Sequence, residues 1–303
     1  MRVAIIDMGT NTFHLMVAEK VNETYAIIYR ERQAVKLGLA GINLGLITAE
    51  ALQRAIVCLT DFQATIQTYD VKSTLAFGTS ALRNASNASE VIEQIKQRTG
   101  IIPRVISGDQ EAEYIYRGVQ FALNLGDVNS LIMDIGGGSV EFIIGNRQTI
   151  LWKRSLEIGA QRLLEKFQRH DPILPAELQE LDTYFSTVLL PLFEALQRHQ
   201  PTVLVGSSGT FDTLSDIYCV KHDIHKLPDD PEIPLTFSGF YEIYEELIIK
   251  NRAERMHIPG MIEMRVDMIV VACCLIRYII ERHAFQSVRV STYALKEGVM
   301  VSL

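Results

Sequence analysis

Two stretches of this chain repeat one plan, "RVAIIDMGTNTFHLMV" (2–17) and "SLIMDIGGGSVEFIIG" (130–145). Each reads as an apolar strand, an aspartate (Asp7 or Asp134), a loop of glycine and hydroxyl residues, and a second apolar strand. The interval between them is as long as a whole domain, so the chain is expected to fold as two related lobes, each opening on the same unit. The division falls near residue 126, with lobes 1–125 and 126–303 and the terminal segment 293–303 returning to the first lobe.

Composition narrows the choice further. The 303 residues are 48% hydrophobic and 21% charged, enough apolar mass for two cores. A formal charge of −7 is spread along the chain without a basic block, which argues against a nucleic-acid stripe and a polybasic membrane anchor. A polyanion would have to be gripped locally. Cys58, Cys219, Cys273 and Cys274 lie in apolar stretches without C-x-x-C spacing and read as reduced core residues, which suits the cytoplasm. The apolar run "MIVVACCLI" (268–276) is far short of the ~20 residues of a membrane span, and the N-terminus meets an acid at Asp7, so neither insertion nor export is expected.

Strands precede helices through the first half. "TYAIIYRERQAVK" extends the first hairpin, and Thr48 caps a helix whose Leu52, Ile56, Leu59, Phe62 and Ile66 share one face. Asn87 followed by Glu90 predicts a capping box, "STLAFG" and "PRVIS" read as strands, and "DQEAEYIYRGVQFAL" as a helix. Beyond the second repeat unit, the pattern predicts a strand at 152–157, helices at 159–169 and 176–199, a strand "TVLVG" and a helix after "SSGTFDT". An exposed loop "KHDIHKLPDDPEIP", a long helix from Ile262 to Glu281, a strand "SVRV" and a terminal helix from Tyr293 follow.

Glycine-rich loops bare their backbone N–H groups, and several such donors in one concavity bind phosphate oxygens. One loop is weak evidence, because glycines also close hairpins. Two matched loops facing each other would grip a polyphosphate or nucleotide tail from both sides, with Thr10, Asn11 and Ser139 adding side-chain donors. Asp7 and Asp134 stand at the loop entrances, where a hard cation such as Mg2+ could bridge carboxylate, water and phosphate; each could equally bond its own loop amides. Strand alternation points Ser139 and Glu141 to the same face, which suits a cleft. Asp109, Glu111 and Glu113 open a helix, where acids complement the dipole, and Arg83 in "GTSALRNA" is either a surface residue or a phosphate clamp. On the residues alone both alternatives stay open. His14 reads as a packing residue, His222 and His225 as polar-loop residues, and Arg265 with Asp267 as a lobe-interface pair or a solvated first turn.

In order, "AIIDMGTNTFHLMV", "GTSALRNASNA", "VISGDQEAEYIYRGV" and "DIGGGSVEFIIG", followed by "VGSSGTFDTL", "IPGMIEMRVDMIVV" and "YALKEGVM", resemble the exopolyphosphatase / guanosine pentaphosphate phosphohydrolase family. That family lies within the actin, sugar-kinase and heat-shock ATPase superfamily. The resemblance implies an α/β fold of two duplicated ribonuclease-H-like lobes around a central cleft, with mixed five-stranded sheets flanked by helices. It implies that Glu111 is the base that activates water and Glu141 a second glutamate that orients it. Asp134 would hold Mg2+ or another divalent cation, beside Asp7. Gly9, Thr10 and Asn11 would form one phosphate grip, Gly136, Gly137, Gly138 and Ser139 the other, and Arg83 would hold the terminal phosphates. Glu111 is expected to be ionised, since a helix start favours the charged form.

The expected activity is hydrolysis of the terminal phosphoanhydride of inorganic polyphosphate. Long family members carry extra C-terminal helical domains, and without them processive action on long chains is not expected. Guanosine pentaphosphate is the alternative substrate within the family. An ATPase or kinase of the same superfamily, holding adenosine at "GSSGT" (206–210), is a further alternative, as is a non-catalytic sensor of phosphate chains or nucleotides. The sensor is disfavoured because binding anions gains nothing from two nearby glutamates. Arg30, Arg32, Lys36 and Arg104 are basic candidates for the cleft wall. No nucleic acid or membrane partner is expected, and a homodimer through exposed helices is compatible with the resemblance.

Overall fold

The computed structural model describes residues 1–22, 24–227 and 229–303. The first half runs β1 (Arg2–Met8), β2 (Thr12–Val21), β3 (Thr24–Ala34), a 3-10 turn, α1 (Ala49–Thr68), β4 (Ser73–Gly78), α2 (Ser80–Asn84), α3 (Ala88–Thr99), β5 (Pro103–Val105) and α4 (Gly108–Ala122). The second begins again with β6 (Ser130–Ile135), β7 (Val140–Gly145) and β8 (Ile150–Leu156), then α5 (Ala160–Phe167), α6 (Pro175–Val188), α7 (Leu190–His199), β9 (Val203–Ser207) and α8 (Gly209–Lys221). It ends with β10 (Glu232–Ile233), α9 (Phe237–Ile249), α10 (Arg252–Met256), α11 (Glu263–Val266), α12 (Ile269–Ile280), β11 (Ser287–Ser291) and α13 (Leu295–Met300).

The sheets order as β3-β2-β1-β4-β5 and β10-β11-β9-β6-β7-β8. Both are mixed: β1 pairs antiparallel with β2 and parallel with β4, as β6 pairs antiparallel with β7 and parallel with β9. The register matches too, setting Asp7 opposite His14 and Asp134 opposite Glu141. β6 and β7 are buried along their whole length, which is why their sequences run apolar without alternation.

Alternation in β1 divides its side chains between two cores. Ala4, Ile6 and Met8 pack into the first lobe against Leu59 and Phe62 of α1. Val3 and Ile5 face a shared core with Ile132, Ile143 and Val205 of the second sheet, filled by Ile115 and Val119 of α4 and by Leu295 and Val299 of α13. The terminal helix thus returns against α4, so closely that a Cβ on Gly298 would run into the Tyr114 carbonyl.

Four local expectations differ from the structure. Asn87 makes no capping bond; its side chain instead exchanges hydrogen bonds with the Ile47 backbone at 3.0 and 2.8 Å, a distant partner that outcompetes the local one. The long helix from Ile262 breaks at Asp267–Met268, where buried Arg255 takes the Val266 carbonyl at 3.2 Å and Arg252 binds Asp267 at 2.7 Å. The expected 176–199 helix divides between α6 and α7 at Leu189. In the charged segment 221–234, Glu232 and Ile233 pair with β11 because Ile233 can be buried there, so the second sheet has six strands among the described residues. Pro228 of that segment lies outside the described residues.

Candidate active site

The two hairpin loops face each other across the lobes. Asn11 Nδ2 donates to Gln161 Oε1 at the start of α5 (3.2 Å), and the Gly137–Gly138 backbone lies against Thr10, Asn11 and Ser80. A Cβ on Gly138 would overlap the Thr10 and Ser80 hydroxyls, so this approach requires glycine. Between the loops is a cavity of about 110 Å³, room for several waters at the ~10–15 Å³ each occupies. Asp7, Gly9, Thr10 and Asn11 line it from one side, Asp134, Gly136, Gly137, Gly138, Ser139 and Glu141 from the other. Thr10 Oγ1 and Asn11 Oδ1 are buried without a partner, so the wall has unused hydrogen-bonding capacity.

Glu111 enters the same cavity from the first turn of α4. A capping box holds that helix start: Ser107 Oγ accepts from the Gln110 N–H (3.2 Å) and Gln110 Oε1 accepts from the Ser107 N–H (3.3 Å). Arg83 stands just outside, in the adjoining groove with Ser107, Lys153, Arg154, Ser155 and Glu157. Its Nη1 donates to Glu111 Oε2 at 2.8 Å, and its Nη2 lies 3.5 Å from Ser139 Oγ.

The acids crowd one another in a largely buried site. Burial pushes Asp7 up to about 7, with Lys296 opposing and Asp134 and Glu297 adding to the rise. Burial and Asp134 carry Glu141 up to about 8 against hydrogen bonds from Ser155 and Ser139. Asp134 is raised by burial despite the Ser208 hydroxyl 2.6 Å from its Oδ2. Glu111 is pushed above the ordinary carboxylate range by burial and by Glu141, against the pull of Arg83. The expectation that the helix start would keep Glu111 ionised is therefore reversed. Burial and the Glu141 carboxylate outweigh the favourable helix dipole at that position.

Arg32, a cleft-wall candidate from the sequence, lines the cavity together with Arg265, Lys296, His14 and Asp212. Burial holds His14 well below its ordinary value, and the three cations add to that effect. Arg265 belongs to the cavity and not to Asp267, which Arg252 takes. Of the other basic candidates, Arg30 lies over the Tyr293 ring, Lys36 lines a separate small cavity and Arg104 is exposed on β5. Ser208 was missed, although comparing the repeats could have found it, since β9 follows β6 in the sheet as β4 follows β1. Its backbone is held at φ 70°, ψ 175°, a region that non-glycine residues seldom adopt. Lys296 carries no comparable local signal.

Among the described residues, no three His, Cys, Asp or Glu side chains converge closely enough to hold a metal by themselves. Asp7 and Asp134 nonetheless suit a hard cation that takes one or two carboxylates and completes its shell with water and phosphate. No hydrogen-bond donor among the described residues holds the Asp7 carboxylate, and its charge is opposed by Asp134. No helix among them is long and apolar enough to cross a membrane.

Two α/β lobes that repeat one sheet topology and close their hairpin loops on a shared cavity define the fold of the actin, sugar-kinase and heat-shock ATPase superfamily. Within it, the chain belongs to the Ppx/GppA phosphatase family, whose family model matches residues 16–303. The crystal structure of an exopolyphosphatase from Cytophaga hutchinsonii superposes with a TM-score of 0.97 at 44% identity, covering 100% of this chain and 97% of that one. The Ppx/GppA family member of Aquifex aeolicus gives a TM-score of 0.78 at 26% identity, with 100% and 97% coverage. A Haemophilus influenzae protein is 29% identical over 301 residues, 99% of this chain and 91% of that protein.

Proposed function

We propose that the chain is a cytoplasmic exopolyphosphatase that removes the terminal phosphate of inorganic polyphosphate, with water as the acceptor. The observation that carries this reading is that Glu111 reaches the same cavity as both glycine loops. A site that only bound anions would gain nothing from Glu111 and Glu141 in its wall, whereas hydrolysis needs a proton acceptor next to the phosphate. The four cysteines, free and buried, suit a reducing compartment.

Phosphoryl transfer asks the protein chiefly for positioning and charge neutralisation. In this reading the loop amides of Gly9–Asn11 and Gly136–Ser139 hold the phosphates, and Arg83 neutralises the terminal one. Asp7 and Asp134 would hold Mg2+ or another divalent cation, which supplies positive charge to the phosphate oxygens when bound. Glu111 accepts a proton from water as its oxygen bonds to the terminal phosphorus. The bond to the bridging oxygen breaks, and the shortened chain leaves with that electron pair. Glu141, hydrogen-bonded at 2.6 Å to Ser155, orients the water. The Arg83 N–H bond at 2.8 Å favours the ionised form of Glu111, the form a base requires, against burial and Glu141.

The test is an initial-rate comparison with Mg2+ across short polyphosphate, long polyphosphate, guanosine pentaphosphate and ATP, without any acceptor other than water. Polyphosphate should give the highest kcat/KM. A higher value for guanosine pentaphosphate would replace the substrate, and absence of phosphate release from all four would remove the hydrolase reading.

A further inference from the structure

Arg83 has no free fork. Its Nη1 donates to Glu111 Oε2 (2.8 Å) and the Ile106 carbonyl (3.3 Å), and its Nη2 to Glu157 Oε1 (3.0 Å) and Ser139 Oγ (3.5 Å). A guanidinium grips phosphate through paired, parallel N–H bonds. A phosphate arriving at Arg83 must therefore displace one of two carboxylates. The Glu111 side chain is 9% exposed and the Glu157 side chain 37%, so Glu157 returns to water with the smaller rearrangement.

Glu157 follows β8, and its second oxygen accepts from Ser80 Oγ at 2.5 Å and from Arg162 Nη2 at 3.2 Å. Ser80 and Arg83 come from α2, Arg162 from α5 in the other sheet's half of the chain. Arg162 is held in place by donating to the Gly138 carbonyl and the Ile42 carbonyl, each at 2.8 Å. Three donors thus converge on one anion beside the second glycine loop. Burial pushes the Glu157 carboxyl up, but hydrogen bonds from Ser80, Asn84 and Arg83 hold it below the ordinary value, so it is charged at neutral pH.

We propose that Ser80, Arg83 and Arg162 form a phosphate subsite that Glu157 fills as a built-in anion, and that a phosphate chain binds by displacing this carboxylate. Glu157 thereby sets how strongly the site discriminates in favour of ligands with enough charge to compete. The inference rests on the reading that the cavity takes phosphate chains.

The experiment measures KM and kcat for short polyphosphate with Mg2+ in the parent, Glu157→Gln, Arg83→Ala and the double variant. Glutamine keeps an acceptor for Ser80 but cannot compete as an anion. Glu157→Gln should lower KM roughly three- to tenfold, the range set by a half-exposed ion pair worth about 1 kcal/mol. In the Arg83→Ala background the same change should leave KM within about twofold, since the competition is then gone. Unchanged or raised KM in a Glu157→Gln protein with the parent's Tm would overturn the proposal. Glu157→Ala supplies the second variant, and failure of both to fold would make Glu157 a structural clasp and overturn it equally. If instead the parent releases no phosphate from polyphosphate, the reading of the cavity itself has failed, whereas an Arg83→Ala KM equal to the parent's would assign Arg83 to structure and overturn the subsite.

Discussion

His14 occupies in the first lobe the register position that Glu141 occupies in the second: it lies opposite Asp7 as Glu141 lies opposite Asp134. The duplicated scaffold has therefore diverged in chemistry at one matched position. One hairpin presents two acids to the cavity, the other an acid and an imidazole that burial keeps neutral. The cavity thus mixes acids, Asp7, Glu111, Asp134 and Glu141 among them, with the cations Arg32, Arg265 and Lys296.

Glu111→Gln should fold with close to the parent's stability, because the amide matches the carboxyl in shape and can still accept from Arg83 Nη1. Turnover should fall by about 100-fold or more, the usual worth of a general base. Phosphate release and urea midpoints on the same preparation check both halves. Activity within about tenfold of the parent would take Glu111 out of the chemistry.

Arg83→Ala should raise KM for polyphosphate by a larger factor than it lowers kcat, as expected when a ground-state phosphate contact is lost. Arg83→Lys should recover little of that loss, because a point charge cannot span Glu111 and the flanking oxygens as the planar fork does. Unchanged KM in Arg83→Ala would assign the arginine to structure alone.

Stability of the metal-free protein should fall between about pH 6.5 and pH 8.5. Asp7 and Glu141 are held at about 7 and about 8, above the 3.8 and 4.5 of free carboxyls. Such groups bind protons more tightly in the folded state, so their stabilisation is complete at low pH and is lost as pH rises through the folded values. His14 acts in the opposite direction, but only below its unfolded value of 6.5. Mg2+ should oppose the fall by binding the folded carboxylates. Urea midpoints at the two pH values, with and without Mg2+, read the effect; equal midpoints would mean these acids titrate like exposed ones.

Ser208→Gly should be more stable than Ser208→Ala by about 1 kcal/mol, the strain of a non-glycine residue at this backbone angle less the entropy glycine gains on unfolding. Both variants lose the hydrogen bond to Asp134 equally, so the comparison isolates the backbone. Thermal or urea denaturation of the two variants is sufficient, and equal stabilities would show that Ser208 is not strained.

The repeat, the paired glycine loops and the inward face of β7 were legible from the sequence because each depends on local rules. Strand alternation, glycine's freedom from a Cβ and the chemistry of a turn act within a few residues. Local rules also set limits: Asn87 had the pattern of a cap, yet Ile47 drew its side chain away. Only the tertiary structure decided that Arg32, Arg265 and Lys296 line one cavity, that Glu157 holds Arg83 and that Glu111 keeps its proton more tightly than a helix start suggests. A charged side chain looks the same in sequence whether it meets solvent or a cavity. Its surroundings, and with them its desolvation and its partners, are supplied by elements far away along the chain.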